Sequence, residues 1–371
     1  MSKPRLVADQ NMPLVEALFS HFFDVSLVPG REINSHSIEG AEVLLVRSVT
    51  AVNQQLLEGS SVRFVGSATA GTDHVDLDYL AEVGIQFAYA PACNAHAVVQ
   101  YVLSVLCNLK PDWQQCRVGI VGCGNVGGTL YRQLCDLGVQ SLVYDPFLDN
   151  SSVADLASFE QVLDCDIISI HTPLTTDGPY PTQHLFNRQV LQQIKPTSLL
   201  INAGRGAVVD NLTLVDLLTG QGQLQVALDV WETEPQINRE LLDLVAIATP
   251  HIAGYSYEGK ARGTLMLFES LVQLYPLDRS LLTDWQDSQV SQPLAVPDAD
   301  LNSLLLACYQ VRQDDQRLRE AIQNAGSDIS TAFDQLRKHY PQRREYSHYL
   351  VSDKLSHSEQ LAILGFCVAS L

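Results

Sequence analysis

Arg205, Glu234 and His251 are a guanidinium, a carboxylate and an imidazole. Each stands beside a glycine or a proline and each follows an apolar run. A set of this kind suits removal of a hydride from a carbon that bears a hydroxyl. The hydroxyl proton must leave as the hydride does, so the site needs a base near neutral pK, and histidine is the usual choice. A carboxylate beside the ring orients it and stabilises the imidazolium. A guanidinium clamps a substrate carboxylate through two parallel hydrogen bonds. Taken singly, each residue also has a plainer reading: Arg205 paired with a surface acid, Glu234 a solvated loop acid, His251 one of ten histidines and satisfied structurally. The glycines flanking Arg205 favour close approach of a ligand. His171 competes as the base, with His74 and His96 weaker candidates, and spacing alone leaves that choice open.

A second constellation is denser. Val118-Gly119-Ile120-Val121 is short and β-branched, as a buried parallel strand should be. Gly122-Cys123-Gly124-Asn125-Val126-Gly127 follows with G-x-G-x-x-G spacing and opens a helix that Gly138 ends. Ser141-Leu142-Val143-Tyr144 is the next strand, with Asp145 at its tip. In such a unit Gly122 permits the tight turn, Gly124 lets backbone approach a pyrophosphate, and Gly127 lets helix pack on strand. The phosphates then sit at a helix N-terminus, where free N–H groups favour anions. Asp145 is placed to accept from ribose hydroxyls, and no Arg follows it to pair a 2′-phosphate, so NAD is expected rather than NADP.

The elements that must position these residues alternate along the chain. Strands are expected at 6–8, 42–47, 64–66, 85–89, 118–121, 141–144, 166–170, 198–202, 226–228 and 245–248. Helices are expected at 13–23, 52–57, 75–84, 95–109, 159–163, 188–194, 212–218 and 258–274. The rhythm predicts open parallel sheets, whose carboxyl ends carry ligands. Thr172, Arg205, Asp229, Glu234 and His251 all follow such ends. Ala95–Leu109 is apolar all round, which suits a helix buried between layers, and a domain boundary near Cys93 follows. Beyond Pro276 the composition changes. Gln292–Pro297 looks like a linker or extended edge segment, followed by amphipathic helices at 301–318 and 329–338 and an apolar end at 361–371.

The 371 residues suggest two or three domains. A net charge of −19 argues against nucleic acid and anionic membranes, and requires that an anionic substrate be held by local cations. No run reaches signal-peptide or membrane-spanning length. The eight cysteines show no C-x-x-C pair or zinc-like spacing. No metal is therefore expected, and the thiols read as reduced in a cytoplasmic protein.

Cys116–Asp145 together with NAGRGAVVD (202–210), DVWETEP (229–235) and TPHIAG (249–254) resembles the D-isomer-specific 2-hydroxyacid dehydrogenase family. The resemblance implies that Arg205 binds the substrate carboxylate, His251 is the acid/base and Glu234 pairs with His251. It implies two Rossmann-like, doubly wound parallel-sheet domains with a cofactor cleft between them. Residues 1–93 and 254–282 would form the substrate domain and 94–253 the NAD domain. Ala92 departs from a common Gly, and Gly204 stands where a larger residue usually precedes the Arg.

A narrower resemblance, to one branch of that family, spans nearly the whole chain through VRSVT (46–50), ATAGTDHVD (68–76), HTPL (171–174) and HIAGYSYEGKAR (251–262). Leu336-Arg337-Lys338 and Arg343-Arg344-Glu345-Tyr346 extend it into the tail. That branch oxidises a phosphorylated four-carbon 2-hydroxy acid at C2, on the way to pyridoxal 5′-phosphate. Its additional C-terminal domain, α+β and here 283–371, makes a homodimer. Ser48, Thr69 and Tyr255 match substrate-contacting positions. Asp145, Thr172, Asp229 and Gly254 match NAD-contacting ones, beside Gly122, Gly124, Asn125, Val126 and Gly127. Arg47 is the first candidate for the phosphate, while Arg343 and Arg344 either reach in from a partner subunit or form a solvated basic face. The alternatives are a 3-phosphoglycerate or glycerate dehydrogenase on the same scaffold, which would carry a βαββαβ regulatory tail, and a non-catalytic NAD-sensing protein.

Overall fold

The computed structural model describes residues 3–221, 223–282, 292–294 and 300–370. Their contacts divide the chain into two units, Met1–Asn94 with Ser256–Val290 and Ala95–Tyr255 with Ser291–Leu371.

The first unit is a five-stranded sheet in the order β2-β1-β3-β4-β5. Its strands are β1 (Arg5–Asp9), β2 (Asp24–Val28), β3 (Ala41–Val46), β4 (Phe64–Ser67) and β5 (Gln86–Tyr89), all paired parallel. The apolar runs of β1, β3 and β4 are buried on both faces, as a parallel sheet covered by helices requires. Phe19, Phe23, Leu267, Phe268 and Leu271 cover one face, and Leu56, Leu57, Val75 and Leu80 the other. The predicted helix at 13–23 shortens to Val15–Phe19. The N–H groups of Phe22 and Phe23 both turn back onto the Phe19 carbonyl, and the chain re-enters the sheet as β2, an edge strand too polar to be read from its pattern. Ala92, at the position usually given to Gly, has φ +64°, a left-handed conformation costly for a residue with a Cβ.

The second unit holds a six-stranded parallel sheet ordered β11-β10-β9-β8-β6-β7. Its members are β6 (Val118–Val121), β7 (Ser141–Tyr144), β8 (Ile167–Ile170), β9 (Leu199–Asn202), β10 (Gln225–Leu228) and β11 (Ile247–Ala248). The strand order reverses at β6, so the glycine loop opens at the switch point where doubly wound sheets bind ligands. The helix Ala95–Leu109 is buried along nearly its whole length. It shares one core with sheet residues Val118, Ile120 and Leu199 and with Leu301, Leu304, Leu305 and Val311 of the C-terminal region.

That region is α+β. Beyond its helices, β12 (Gln292–Pro293), β13 (Tyr349–Ser352) and β14 (Cys367–Ala369) form a parallel sheet. Gln292–Pro293 is thus an edge strand, and 295–299 lie outside the described residues. The single helix expected at 301–318 is two, Leu301–Cys308 and Val311–Asn324. At the break Tyr309 is extended, with φ −151° and ψ 120°. Ser104 satisfies both frayed ends: its hydroxyl donates to the Tyr309 carbonyl at 2.9 Å and accepts from the Val311 N–H at 3.0 Å. The apolar end divides likewise into the helix Ser358–Ile363 and β14, with Leu371 outside the described residues. None of the eight cysteines is in a disulfide, and burial pushes the Cys107 and Cys308 thiols up to about 12. Among the described residues no helix is long and apolar enough to cross a membrane.

Candidate active site

Strand register aligns one edge of the second unit. Tyr144, Val121, Ile170, Asn202, Leu228 and Ala248 stand side by side at the carboxyl ends of β7, β6, β8, β9, β10 and β11. The residues that follow them are Asp145, Gly122, His171, Ala203, Asp229 and Thr249, so the loops carrying the candidate side chains leave the sheet from one row.

The glycine loop has three distinct steric requirements. Gly122 has φ +87°. A Cβ on Gly127 would lie 1.9 Å from the Gly122 carbonyl oxygen, so helix and turn touch there and only glycine fits. A Cβ on Gly124 would meet no atom within 4 Å, and Gly124 and Asn125 are exposed at the start of the helix Asn125–Asp136. This open cradle at a helix N-terminus, with Val126 in its first turn, suits a pyrophosphate. The Asp145 carboxylate accepts from the Cys123 N–H at 2.9 Å and the Phe147 N–H at 3.1 Å, which fixes it at the tip of β7 beside the cradle. The Thr172 hydroxyl is buried with no hydrogen-bond partner, an orphan of the kind a bound ligand satisfies.

At the other end of the row, His251 Nδ1 is hydrogen-bonded to Glu234 Oε1, and the two side chains keep 32% and 24% of their exposure. Glu234 Oε2 accepts from the Trp231 N–H at 3.1 Å. Burial pushes the Glu234 carboxyl up, but the charge and hydrogen bond of His251, the Trp231 N–H and Arg337 together hold it below the usual carboxylate range. His251 itself has φ +55°, a left-handed backbone for a non-glycine residue, and such strain marks functional loops. The fully buried Asp229 holds that conformation. It accepts from the Thr249 hydroxyl (2.7 Å), the Ile252 N–H (2.8 Å) and the Ala253 N–H (2.9 Å), while its carbonyl accepts from the His251 N–H (2.7 Å). Both Asp229 carboxylate oxygens are therefore spent on the loop.

Arg205 is half-buried, and its guanidinium donates to the Gly204 carbonyl at 3.0 Å. Its loop is held from below by Asn202, which donates to the Arg205 carbonyl at 3.0 Å and accepts from the Gly204 N–H at 3.2 Å. The neighbouring glycines are packing requirements. A Cβ at Gly204 would lie 2.9 Å from the Thr172 carbonyl oxygen, and one at Gly206 only 2.0 Å from the Trp231 carbonyl carbon. The small residue at 204 fits the close approach of this loop to Thr172.

His171, the competing base, is bonded through Nε2 to the Ser169 hydroxyl at 2.9 Å, and its Nδ1 is buried without a partner. Burial lowers its pKa to about 4, so the ring is neutral and enclosed. In the first unit Arg47 is half-buried and Ser48 exposed, just beyond β3. The Thr69 hydroxyl lies 2.6 Å from the Ser67 hydroxyl and donates to the Gly71 carbonyl at 2.7 Å, and His74 is bonded to Ser67 at 2.9 Å. In the second unit Gly254 is half-exposed and Tyr255 half-buried. Arg343 is buried in its own chain, donating to the carbonyls of Ala97 and Ala253, and does not reach outward. Sequence pattern passed over Arg337, which donates to the Tyr255 hydroxyl at 3.0 Å; only its place in a basic cluster set it apart. Among the described residues no group of three or more His, Cys, Asp or Glu is placed to hold a metal.

A Rossmann unit joined to a histidine–carboxylate pair and an arginine loop defines an NAD-dependent oxidoreductase of the 2-hydroxyacid dehydrogenase class. A family model described as the NAD binding domain of D-isomer specific 2-hydroxyacid dehydrogenases matches residues 106–253, and one described as a domain of unknown function matches 282–365. Erythronate-4-phosphate dehydrogenase of Cellvibrio japonicus is 46% identical over 98% of this chain and 100% of its own. The enzyme of that name from Teredinibacter turnerae is 46% identical over 99% of each chain. The chain belongs to the erythronate-4-phosphate dehydrogenase family, and its cofactor is NAD. Among solved structures, the TT0316 protein of Thermus thermophilus superposes with a TM-score of 0.63 at 23% identity, covering 76% of this chain and 97% of that one. Aquifex aeolicus D-lactate dehydrogenase, complexed with NAD and lactic acid, gives 0.60 at 20% identity over 76% and 98%. These two establish the shared fold.

Proposed function

We propose that the protein oxidises 4-phospho-D-erythronate at C2 to 2-oxo-3-hydroxy-4-phosphobutanoate, a step toward pyridoxal 5′-phosphate. The observation that carries the chemistry is the His251 Nδ1–Glu234 pair, which leaves Nε2 as the ring nitrogen open to substrate. His251 Nε2 accepts the proton of the C2 hydroxyl, and the Glu234 carboxylate stabilises the imidazolium that results. Arg205 holds the substrate carboxylate by a paired hydrogen bond, which fixes C2 relative to His251. NAD, when bound, supplies the hydride acceptor. Gly122, Gly124, Asn125, Val126 and Gly127 hold its pyrophosphate, Asp145 its ribose, and Thr172 and Gly254 further parts of it, while Asp229 acts by shaping the loop of His251. Ser48, Thr69 and Tyr255 contact the substrate, with Arg47 as a phosphate cation.

The domain assignment goes with this reading: residues 1–93 and 254–282 bind substrate, 94–253 bind NAD, and 283–371 pair two copies of a cytoplasmic enzyme. The substrate rests on the relatives' shared name across almost the whole chain. A tail of helices with a three-stranded parallel sheet differs from the βαββαβ expected of an amino-acid-regulated phosphoglycerate enzyme.

The test compares turnover of 4-phospho-D-erythronate, 3-phosphoglycerate and D-glycerate with NAD and a 2-oxo acid acceptor, in wild type and His251→Asn. Asn tolerates the left-handed backbone of position 251, so the substitution removes the base and keeps the loop. Wild type should prefer the four-carbon phosphate. The variant should lose roughly 10²–10⁴-fold in kcat while binding NADH within a few-fold of wild type. Preference for a three-carbon acid discards the substrate, and a variant as fast as wild type discards His251 as the base.

A further inference from the structure

We infer that Arg337, carried by the C-terminal region, receives the second anionic group of the substrate and so selects phosphorylated 2-hydroxy acids over plain ones. This rests on His251, Glu234 and Arg205 being the reaction centre. Arg337 lies in the last turn of the helix Ile329–Lys338. One turn earlier Phe333 is fully buried among Leu241, Leu242 and Val245, and residues four apart share a helix face, so the packed face also fixes the base of the Arg337 side chain.

The guanidinium donates to the Tyr255 hydroxyl at 3.0 Å, and its central carbon is 5.7 Å from the centre of that ring. Tyr255 follows the His251 loop directly, and Tyr340 packs edge-on against it at 5.9 Å. A guanidinium offers five N–H donors. The Tyr255 bond goes to a neutral phenol, and Nε is buried with no hydrogen-bond partner. The residue keeps partial exposure, so a ligand can reach the rest of the fork.

The Glu234 charge close by is already committed. Glu234 attracts Arg337 electrostatically, yet the Glu234 oxygens are bonded to His251 and the Trp231 N–H. Asp334, one turn back on the same helix, is the other acid acting on it. A phosphorylated 2-hydroxy acid brings a carboxylate and a phosphate dianion; Arg205 matches the first, and a dianion takes more than the one cation proposed at Arg47. With 42 acidic residues against 23 basic ones, the chain offers no general attraction for the second. A guanidinium fork beside a phenol is the donor set that phosphate recognition uses.

The experiment measures kcat and KM of the full-length protein for 4-phospho-D-erythronate and for D-erythronate, in wild type, Arg337→Met and Arg337→Lys. Inorganic phosphate serves as a competitive inhibitor of each. Loss of a charge-assisted contact predicts that Arg337→Met loses about 10- to 100-fold in kcat/KM for the phosphorylated acid, mainly through KM. D-erythronate registers only the Arg337 interactions with Tyr255 and Glu234, so its loss is smaller by about fivefold or more; phosphate inhibition weakens by a factor like that for the phosphorylated acid, and Lys restores part of both. Equal losses on the two acids, or phosphate inhibition unchanged in the Met variant, overturn the inference. Should D-erythronate turn over too slowly to measure, phosphate inhibition decides alone. Should Arg337→Met fail to fold, Arg337→Lys decides, because loss of the bidentate fork must still raise KM for the phosphorylated acid and weaken phosphate inhibition. Failure of wild type on 4-phospho-D-erythronate refutes the proposed substrate and leaves the phosphate measurement to judge Arg337.

Discussion

Substituting Gln for His171 separates the two candidate bases by a measurement on folding. The His171 ring is enclosed at the end of β8, with Nε2 on Ser169 at 2.9 Å and Nδ1 unpaired, and burial alone lowers its pKa from 6.5 to about 4. An unfolded chain takes up the proton at the ordinary value, whereas the folded chain refuses it until the lower one. The folded pKa is the depressed one, so this contribution to stability is intact above pH 6.5 and is lost as pH falls toward 4. At pH 5 the unfolded state is favoured by a factor of about 30, or roughly 2 kcal/mol; at pH 7 the same sum gives only about 0.2 kcal/mol. Below pH 4 the loss levels off near ~3 kcal/mol. A Gln amide nitrogen can take the place of Nε2 against Ser169 but binds no proton.

Urea unfolding of wild type and His171→Gln at pH 7 and pH 5 should therefore show wild type losing about 2 kcal/mol more than the variant over that interval. Turnover of the variant at pH 7 should stay within about threefold of wild type, since a ring with its pKa near 4 and Nε2 bonded to Ser169 is too weak a base for the hydroxyl proton. Parallel pH dependence of the two proteins would refute the enclosed neutral histidine. A thousandfold loss of kcat in a folded variant would move the base from position 251 to 171.

Two glycine substitutions should part in opposite directions. Gly206→Ala drives a Cβ into Trp231 backbone at 2.0 Å, so it should destabilise by more than ~2 kcal/mol in urea and lower kcat, because Arg205 adjoins that contact. Gly124→Ala meets no atom within 4 Å; Tm should hold while NADH affinity, read by fluorescence titration, falls about tenfold or more as the methyl enters the pyrophosphate path. Asp229→Asn cannot accept at all three of its bonds, since its NH₂ must face at least one of Thr249, Ile252 or Ala253. It should cost about 1–3 kcal/mol of stability and reduce kcat more than NADH binding; a variant equal to wild type in both would refute the loop-anchoring role.

Legibility followed burial. The runs at 118–121, 167–170 and 199–202 are buried at every position inside the sheet, so composition alone marked them within a residue. The edge strand β2 mixes exposed and half-buried positions, and β13, central in its small sheet, is half-buried except at Val351; neither carries such a run. The helix break at Tyr309–Gln310 is invisible in the local pattern because the groups that satisfy it belong to Ser104, 205 residues away. The same holds at the site. Strand ends marked which side chains share an edge, but nothing in the spacing told His251 from His171. The difference lies in which ring meets a carboxylate and which a serine hydroxyl, a tertiary fact. Asp229 showed its position and concealed its partners, all of them backbone or hydroxyl groups about twenty residues on.

The C-terminal region is fastened to the strand that carries His251. β11 is an edge strand two residues long, and its Ala248 N–H donates to Asp315 at 2.8 Å. Arg319 bonds Asp315 at 2.9 Å and reaches the carbonyls of Leu242 at 2.5 Å and Val245 at 2.8 Å, while Arg312 reaches Ala246 at 3.2 Å. Past the strand, Arg343 holds the Ala253 carbonyl and Arg337 the Tyr255 hydroxyl. The loop from Thr249 to Tyr255 thus has Asp229 beneath it and arginines of the C-terminal region at its far end. An edge strand so short has little hold on its own loop. Here guanidinium groups of the C-terminal region hold carbonyls before the strand and after the loop's turn, while Asp229 holds the His251 turn itself. The appended region is thus joined to the very sheet edge from which the His251 loop leaves.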